Sequence, residues 1–186
     1  MVDYDIVMIG YAGLEGSAFI AEKKQDILKN RYPSFFISKA IAGKNRLTED
    51  EKRILAEPLL SEAAAAGGSG ESGLYKLGQA GVFMGLWNMA QAAGVGLEII
   101  LSQIPIRQET VEICNYFDIN PYHLLSGGSW LLLSQSGSRT VQMLTQKEIP
   151  AAVIGITTAG NDRVIWYDGE KRFLEKKYTD SIFQIR

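Results

Sequence analysis

The sequence has 186 residues, 46% hydrophobic and 22% charged, an ordinary globular composition that excludes a disordered chain without a core. Nineteen Lys and Arg residues against 21 Asp and Glu residues give a net charge of −2, so no electrostatic footprint for nucleic acid or a membrane surface is present. The apolar stretches are short and interrupted, and the chain starts with acidic residues rather than a basic signal-peptide segment, so we expect a single cytoplasmic domain over residues 1–186 that does not enter a membrane.

Cysteine and histidine each occur once, which limits the available chemistry. Cys114 is the only cysteine, so the chain has no intramolecular disulfide and no cysteine zinc site, and a reducing compartment is expected. It falls on the apolar side of a predicted helix, where a lone cysteine is typically a small hydrophobic core residue. His123 follows a proline in a short connector and is expected at the surface or at a helix end. One cysteine and one histidine do not make a transition-metal site.

The first predicted elements are one strand and three helices. Residues 4–9 are a β-branched run closed by a glycine, which is typical of a buried strand. Residues 13–32 carry apolar positions on one helical face, and residues 34–42 predict a second, short helix. A capping box predicts a third helix over residues 48–66. The Gly-rich stretch at residues 67–73 is expected to be a flexible loop.

The middle of the chain contains the clearest predicted helix. Residues 74–77 predict a short strand before it. Over residues 80–93 apolar side chains recur on one face, and Gly94 is a suitable C-terminal cap, which together indicate an amphipathic helix. Residues 96–101 then predict a strand and residues 108–117 another helix.

The last third of the chain predicts three strands and a helix. Residues 130–134 predict a strand and residues 139–146 a helix. Residues 151–156 and 164–167 predict two strands joined as a hairpin, since a Gly-Asn-Asp segment between them supplies turn chemistry. Strands and helices interleave without a strict βαβ rhythm, so the predicted fold class is α+β, a mixed sheet packed with helices.

Two glycine-rich segments are candidates for cradling an anion. Residues 10–16 follow a strand and open a helix, so the backbone N–H groups around Gly13, Glu15 and Gly16 are candidates for binding phosphate. Residues 126–129, Ser-Gly-Gly-Ser, precede a strand and offer a similar nest. The first segment has the spacing of neither a dinucleotide fingerprint nor a P-loop. In both, the alternative stays open that the glycines only permit a tight turn.

Six segments, in this order along nearly the whole chain, carry a resemblance to one family. They are residues 13–17 (GLEGS), 81–90 (GVFMGLWNMA) with 93–98 (AGVGLE), 104–110 (IPIRQET), 119–121 (INP), 126–129 (SGGS) and 149–155 (IPAAVIG). Together they resemble the C-terminal domain of the aminoimidazole ribonucleotide (AIR) synthase superfamily, and within it the hydrogenase maturation-factor branch.

The resemblance implies a PurM-like C-terminal domain, a three-layer mixed sheet with helices and a partly ferredoxin-like arrangement. In this superfamily the domain usually follows another of similar size. That N-terminal half carries most of the ATP and magnesium contacts and forms the dimer, while the C-terminal half closes over the phosphates. ATP or phosphate with magnesium is therefore expected only where such a partner half is present.

The loop before the clearest helix departs from the family pattern, which reads approximately His-Asp-x-Thr-x-Gly-Gly. Tyr75 stands at the histidine position, Lys76 at the aspartate, Gly78 at the threonine and Ala80 at the first glycine, whereas Gly81 keeps the second. A lysine in place of a carboxylate cannot bind magnesium but can hold a phosphate as a point charge. The predicted phosphate- or nucleotide-binding residues are Gly13, Glu15, Gly16, Lys76, Gly78, Gly81, Ser126, Gly127, Gly128 and Ser129.

We therefore interpret the chain as a stand-alone, degenerate member that binds phosphate or nucleotide or assists assembly, linked through the resemblance to hydrogenase maturation. It ends in Arg186 rather than in the cysteine that carries the carbamoyl group in the maturation factor, and neither a catalytic residue nor a metal site is predicted. Its expected partner is a second copy, in a homodimer, or a separate N-terminal-half protein. The alternative is one half of a split ATP-dependent enzyme of this superfamily, or a truncated piece of one.

Overall fold

A computed structural model describes residues 1–45 and 73–185, and within them seven strands form one sheet with helices on both faces. The strands are β1 (Asp5–Ile9), β2 (Leu74–Lys76), β3 (Gly96–Ile100), β4 (Trp130–Ser134), β5 (Ala151–Thr158), β6 (Arg163–Tyr167) and β7 (Glu170–Phe173). The α-helices are α1 (Leu14–Lys23), α2 (Gln25–Leu28), α3 (Ser34–Ile41), α4 (Gly81–Ala93), α5 (Gln108–Tyr116) and α6 (Gly137–Gln146). The predicted α+β class is confirmed. The predicted helix 48–66 and residues 67–72 of the predicted loop lie outside the described residues.

The sheet is mixed, with the strand order β2-β4-β1-β5-β3-β6-β7. Every neighbouring pair is antiparallel except β3 and β6, which run parallel. β1 is an interior strand between β4 and β5, and its side chains alternate between the two faces: Ile6 and Met8 pack on the α4 side, Val7 and Ile9 on the α6 side. Because both faces are covered there, β1 reads as a continuous apolar run rather than as an alternating one.

The predicted hairpin between residues 151–156 and 164–167 is wrong. These strands are β5 and β6, and β3 lies between them, antiparallel to β5 and parallel to β6. The turn at Gly160 (φ +85°) therefore carries the chain past β3 instead of back along β5. Leu97 and Ile99 of β3 are fully buried. Such a strand needs backbone partners on both sides, and this requirement outweighs the local turn signal.

The hairpin at this edge joins β6 to β7, a strand that the sequence pattern does not predict. Asp168 (φ +49°) and Gly169 (φ +78°) form a two-residue turn with both φ angles positive, as a type I′ hairpin requires. All of β7 is exposed. Because most of its residues are charged, β7 shows no hydrophobic pattern in the sequence. Charged side chains on an edge strand discourage pairing with the strands of another molecule.

The helix predicted over residues 13–32 is two helices in the structure. The backbone leaves the helical region at Lys24 (φ −116°, ψ 26°), so α1 ends there and the short α2 follows. Leu28 after the break still packs in the same apolar cluster as Ile20. The C-terminal cap of α4 is confirmed, since Gly94 adopts φ +64° and its N–H bonds back to the last turn.

Three apolar clusters make the core. The largest lies between α4 and one face of the sheet, and a smaller one lies between α6 and the opposite face. The third forms among α1, α2, α3 and α5 and contains Cys114 beside Ile113 and Ile119. Helices on both faces of the sheet confirm the predicted three layers.

Cys114 is expected to react slowly with a thiol reagent in the folded protein. The side chain is fully buried, and burial raises the pKa of its thiol to about 12. Absorbance after addition of an aromatic disulfide reagent measures the rate, and the same protein unfolded in guanidinium chloride provides the control. Stoichiometric labelling of folded protein within the dead time would contradict burial and reopen a nucleophilic role.

Candidate functional site

Three connecting segments meet at one end of the sheet. Ile9 ends β1, Lys76 ends β2, and both pair with Trp130, the first residue of β4. Antiparallel pairing therefore brings the segments after β1, after β2 and before β4 together. Nine of the ten predicted site residues fall in these segments or in the first turn of the helix that follows, and Lys76 is the last residue of β2, so the structure gathers all ten in one region.

The two serines of this region brace the loops rather than face a ligand. Ser126 Oγ accepts the Gly13 N–H at 2.8 Å and donates to the Leu124 carbonyl at 2.8 Å. Ser129 Oγ accepts the Tyr11 N–H at 3.1 Å and donates to the Tyr11 carbonyl at 3.0 Å. Both serines are fully buried. Two backbone N–H groups near the start of α1 are thus already paired within the protein.

Gly13 and Gly16 also belong to this framework. Gly13 adopts φ +64°, and a Cβ there would lie 3.0 Å from the Pro121 carbonyl oxygen. Gly16 donates its N–H to the Leu125 carbonyl at 3.0 Å, and a Cβ would lie 2.5 Å from the Leu124 side chain. These glycines therefore allow close approach of α1 to the segment before β4, one of the two explanations that the sequence left open.

The N-terminus of α4 is capped by a carboxylate that the sequence did not reveal as part of this region. Asp180 is buried, and its Oδ2 accepts the Ala80 N–H at 2.9 Å while its Oδ1 accepts the Ile182 N–H at 2.9 Å. A carboxylate at a helix N-terminus is favoured by the free N–H groups and by the helix dipole. The only local signal was an aspartate before a short apolar segment, and that signal does not show that the partner lies 100 residues away.

A cavity of about 640 Å³ opens in front of these loops. Its wall includes five predicted residues: Glu15, Lys76, Gly78, Gly127 and Gly128. The other five predicted residues do not line it. The remaining lining residues are Phe19, Lys44, Leu77, Gln79 and Leu125.

The charged groups of the cavity wall carry both signs. Glu15 lies directly over Gly127, where a Cβ would overlap the carboxylate. Lys76 Nζ lies 5.4 Å from the centre of the Trp130 ring, and Lys44 forms an ion pair with Glu22. One carboxylate and two ammonium groups do not form a set that holds magnesium, which prefers several oxygen ligands, but the lysines can attract a phosphate. Within residues 1–45 and 73–185 no group of three His, Cys, Asp or Glu side chains could hold a metal ion.

His123 is buried, so the expected surface position is wrong, but it does lie at a helix end, which was the other expected position. It lies in a short 3₁₀ segment, and the Phe83 ring meets it edge to face at 5.1 Å. Burial lowers the pKa of the imidazole, and the nearby Lys177 lowers it further, while Glu175, Asp180 and a hydrogen bond with the Ala80 backbone oppose the shift. His123 does not line the cavity and instead supports the α4 end of the site.

The fold and the cavity define a class of protein, an α+β domain whose glycine-rich loops surround a cavity at the end of a mixed sheet. Comparison with protein families gives the class its name: the model described as "AIR synthase related protein, C-terminal domain" matches residues 5–168. The chain belongs to this family.

In the part of the chain that the structure describes, no helix has the length and hydrophobicity that a bilayer crossing requires.

Curated relatives and solved structures agree with this assignment. The subunit PurL of phosphoribosylformylglycinamidine synthase from Staphylococcus carnosus is 26% identical over 166 residues, which cover 87% of this chain and 20% of PurL. Crystal structures of the hydrogenase maturation protein HypE from E. coli (TM-score 0.66, 18% identity) and of HypE in complex with ATP (0.68, 16%) each match 98% of this chain and about half of HypE. PurL of T. maritima complexed with ATP matches 93% of this chain and 24% of its own length (0.55, 16%). The chain thus spans about a fifth of the curated relatives and half of HypE, and these structural likenesses show the shared fold.

Proposed function

We propose that this domain binds a phosphate-bearing ligand in the cavity at the end of β1, β2 and β4, and that it serves as a binding or assembly module rather than as a catalyst on its own. The observation that carries the proposal is that Lys76 and Lys44 line the same cavity as the glycines Gly127 and Gly128. At Gly128 the absence of a side chain permits close approach of a ligand, whereas the Glu15 carboxylate occupies the space over Gly127. The ammonium groups complement the charge of a phosphate.

The charge set of the wall also bears on catalysis. Lys76 stands where the family pattern has an aspartate, so magnesium would have to be held by other residues. Enzymatic phosphoryl transfer depends on metal ions and positioned charges around the transferring group.

The proposal also includes a homodimer, a cytoplasmic location and a role in hydrogenase maturation.

A second candidate is that the chain is one half of a split or longer ATP-dependent enzyme. Its support is the partial coverage: related structures that contain ATP, such as HypE, are about twice as long as the matched region. In that case magnesium and most ATP contacts come from an N-terminal half.

Lys76→Ala is expected to weaken binding of inorganic phosphate about fivefold, equivalent to about 1 kcal/mol, because one partly exposed charge contact is lost. Isothermal titration without magnesium measures the affinity. Lys76→Arg should retain it. Lys29→Ala removes an exposed lysine that does not line the cavity and serves as the matched control.

Unchanged phosphate affinity in Lys76→Ala would show that the loop is only structural. The same preparations should turn over ATP with magnesium no faster than buffer does. Magnesium-dependent hydrolysis that disappears in Lys76→Ala would overturn the binding-module proposal. Turnover that appears only after a separate N-terminal-half protein is added would favour the second candidate.

A further inference from the structure

The second face of the sheet is covered by a helix on one side only. α6 packs on β5, β1 and β4. On the same face, β3, β6 and β7 extend beyond β5, and no α-helix of the described residues packs on them there; the short 3₁₀ segment Leu101–Gln103 lies beside β5 and β6. Side chains of these strands therefore form a surface that no described α-helix covers; Val164 within it is buried, and the side chains around Val164 are more exposed.

Strand register identifies the side chains on this surface. Glu98 pairs with Ile156 and Val164, Ile100 with Trp166, Trp166 with Lys171, and Val164 with Phe173. Directly paired residues point to the same face of a sheet. We define the open face by the apolar residues Ile100, Ile156, Trp166 and Phe173 with the charged residues Glu98 and Lys171.

The apolar residues of the open face are substantially exposed. Ile100 and Ile156 are each 41% exposed and Phe173 is 62% exposed. Single exposed apolar residues are normal on protein surfaces, but a contiguous set rimmed by polar groups marks an interaction site.

The two charges of the open face lie on opposite sides of β6. Glu98 on β3 accepts a hydrogen bond from Trp166 Nε1 at 3.2 Å. Lys171 on β7 lies with its Nζ 5.3 Å from the Phe173 ring centre. A negative group on one side of a strand and a positive group on the other is a self-complementary pattern, because a two-fold rotation about that strand exchanges the sides.

We propose that the open face is the interface of a homodimer in which two sheets pack face to face about a two-fold axis parallel to β6. The rotation places β3 of each copy over β7 of the other, so that Glu98 faces Lys171 of the second copy. Glu98 pairs with Val164, and Lys171 pairs with Trp166, two residues further along β6. In the dimer, Glu98 and Lys171 of the second copy are therefore offset by about 6.6 Å along the strand direction, a distance that their two long side chains bridge. The apolar residues fill the space between the sheets, which pack about 10 Å apart.

Pairing of two β7 edges is a different way to join two copies, and the sequence of β7 opposes it. In the antiparallel register that uses the whole strand, Lys171 would stand directly opposite Arg172 of the second copy. Like charges directly opposite one another destabilise a pair of strands. The face and not the edge therefore fits a second copy.

Light scattering after size exclusion over a hundredfold concentration range tests the dimer. Phe173→Asp and Ile156→Asp are expected to weaken dimerisation at least tenfold, because each places a carboxylate in the apolar part of the interface. Phe35→Asp is the matched control, since Phe35 is an exposed aromatic (77%) on α3, away from the open face. Circular dichroism verifies that each variant is folded.

Cysteine crosslinking tests the geometry independently of affinity. Glu98→Cys and Lys171→Cys proteins, mixed and treated with a bismaleimide long enough to join Cα atoms about 12 Å apart, should form a crosslinked dimer at least ten times faster than Lys171→Cys mixed with Lys29→Cys. Each protein carries only one of the two introduced cysteines, so a crosslink between these positions forms only between copies. A disulfide would be too short, because the sheet separation and the offset along the strands place the two Cα atoms about 12 Å apart. A strict monomer at all concentrations, a dimer insensitive to both aspartate variants, or equal crosslinking in the control mixture would each overturn the proposal and assign the open face to a different partner.

Discussion

Gly81→Ala is expected to lower the free energy of unfolding by about 2–5 kcal/mol and to distort the cavity wall. Gly81 adopts φ +68°, where a Cβ costs about 1–2 kcal/mol. That Cβ would overlap the Tyr122 carbonyl oxygen and lie 2.7 Å from the Leu124 carbonyl oxygen. Backbone atoms cannot move aside as a flexible side chain can, so overpacking adds about 1–3 kcal/mol. Urea unfolding followed by circular dichroism measures the change.

Ala80→Gly is the matched control for this prediction. Ala80 adopts φ +57° at the neighbouring position, and its Cβ is already accommodated. Glycine there relieves the left-handed strain of about 1–2 kcal/mol but gives the unfolded chain more freedom, worth about 0.5–1 kcal/mol, so the net change should stay within about 1 kcal/mol. Equal destabilisation by both substitutions would contradict the described geometry of the α4 N-terminus. The difference also explains how one glycine of the family's pair can be lost while the other is kept.

Glu109→Gln is expected to destabilise the domain by about 3 kcal/mol at neutral pH. The carboxylate is buried, and burial by itself would raise its pKa, but the ion pair with Lys39, a hydrogen bond from its own backbone and the contact with Arg107 at 3.2 Å lower the pKa from 4.5 to about 2. Each pKa unit corresponds to about 1.4 kcal/mol of preference for the charged form. Lys39 lies on α3 and Glu109 on α5, so the ion pair joins two of the helices that surround the third apolar cluster.

The contribution of Glu109 should depend on pH with a defined sign. A carboxyl group whose pKa is lowered in the folded state contributes its full stability above the unfolded value of 4.5, and loses it as the pH falls from 4.5 towards 2. The stability difference between wild type and Glu109→Gln should therefore shrink across this window in urea unfolding at stepped pH. Glu170→Gln, which removes an exposed carboxylate on β7, should change stability by no more than about 0.5 kcal/mol at any of these pH values. A difference between wild type and Glu109→Gln that stays constant down to pH 2 would show that the ion pair is not its source.

Helices and strands with a clear local pattern could be predicted from the sequence alone. Residues 130–134 and 34–42, and the helix ended by Gly94, appear in the structure within a residue or two of the expected positions. Hydrophobic periodicity and capping depend on residues a few positions apart, so a single chain displays them directly. The six collinear motifs likewise identified the family, because they record residue types in order.

Contacts between distant residues were decided only by the tertiary structure. The insertion of β3 between β5 and β6 depends on which buried strand needs two neighbours, and no turn signal contains that information. Asp180 caps α4 from 100 residues away, and Ser126 binds the Gly13 N–H from 113 residues away. Five of the ten predicted site residues do not line the cavity. The sequence could name glycine and serine as the right residue types for this region. Whether each faces a ligand or a neighbouring loop depends on which backbone groups remain unpaired after the core has packed, and that is a property of the whole fold.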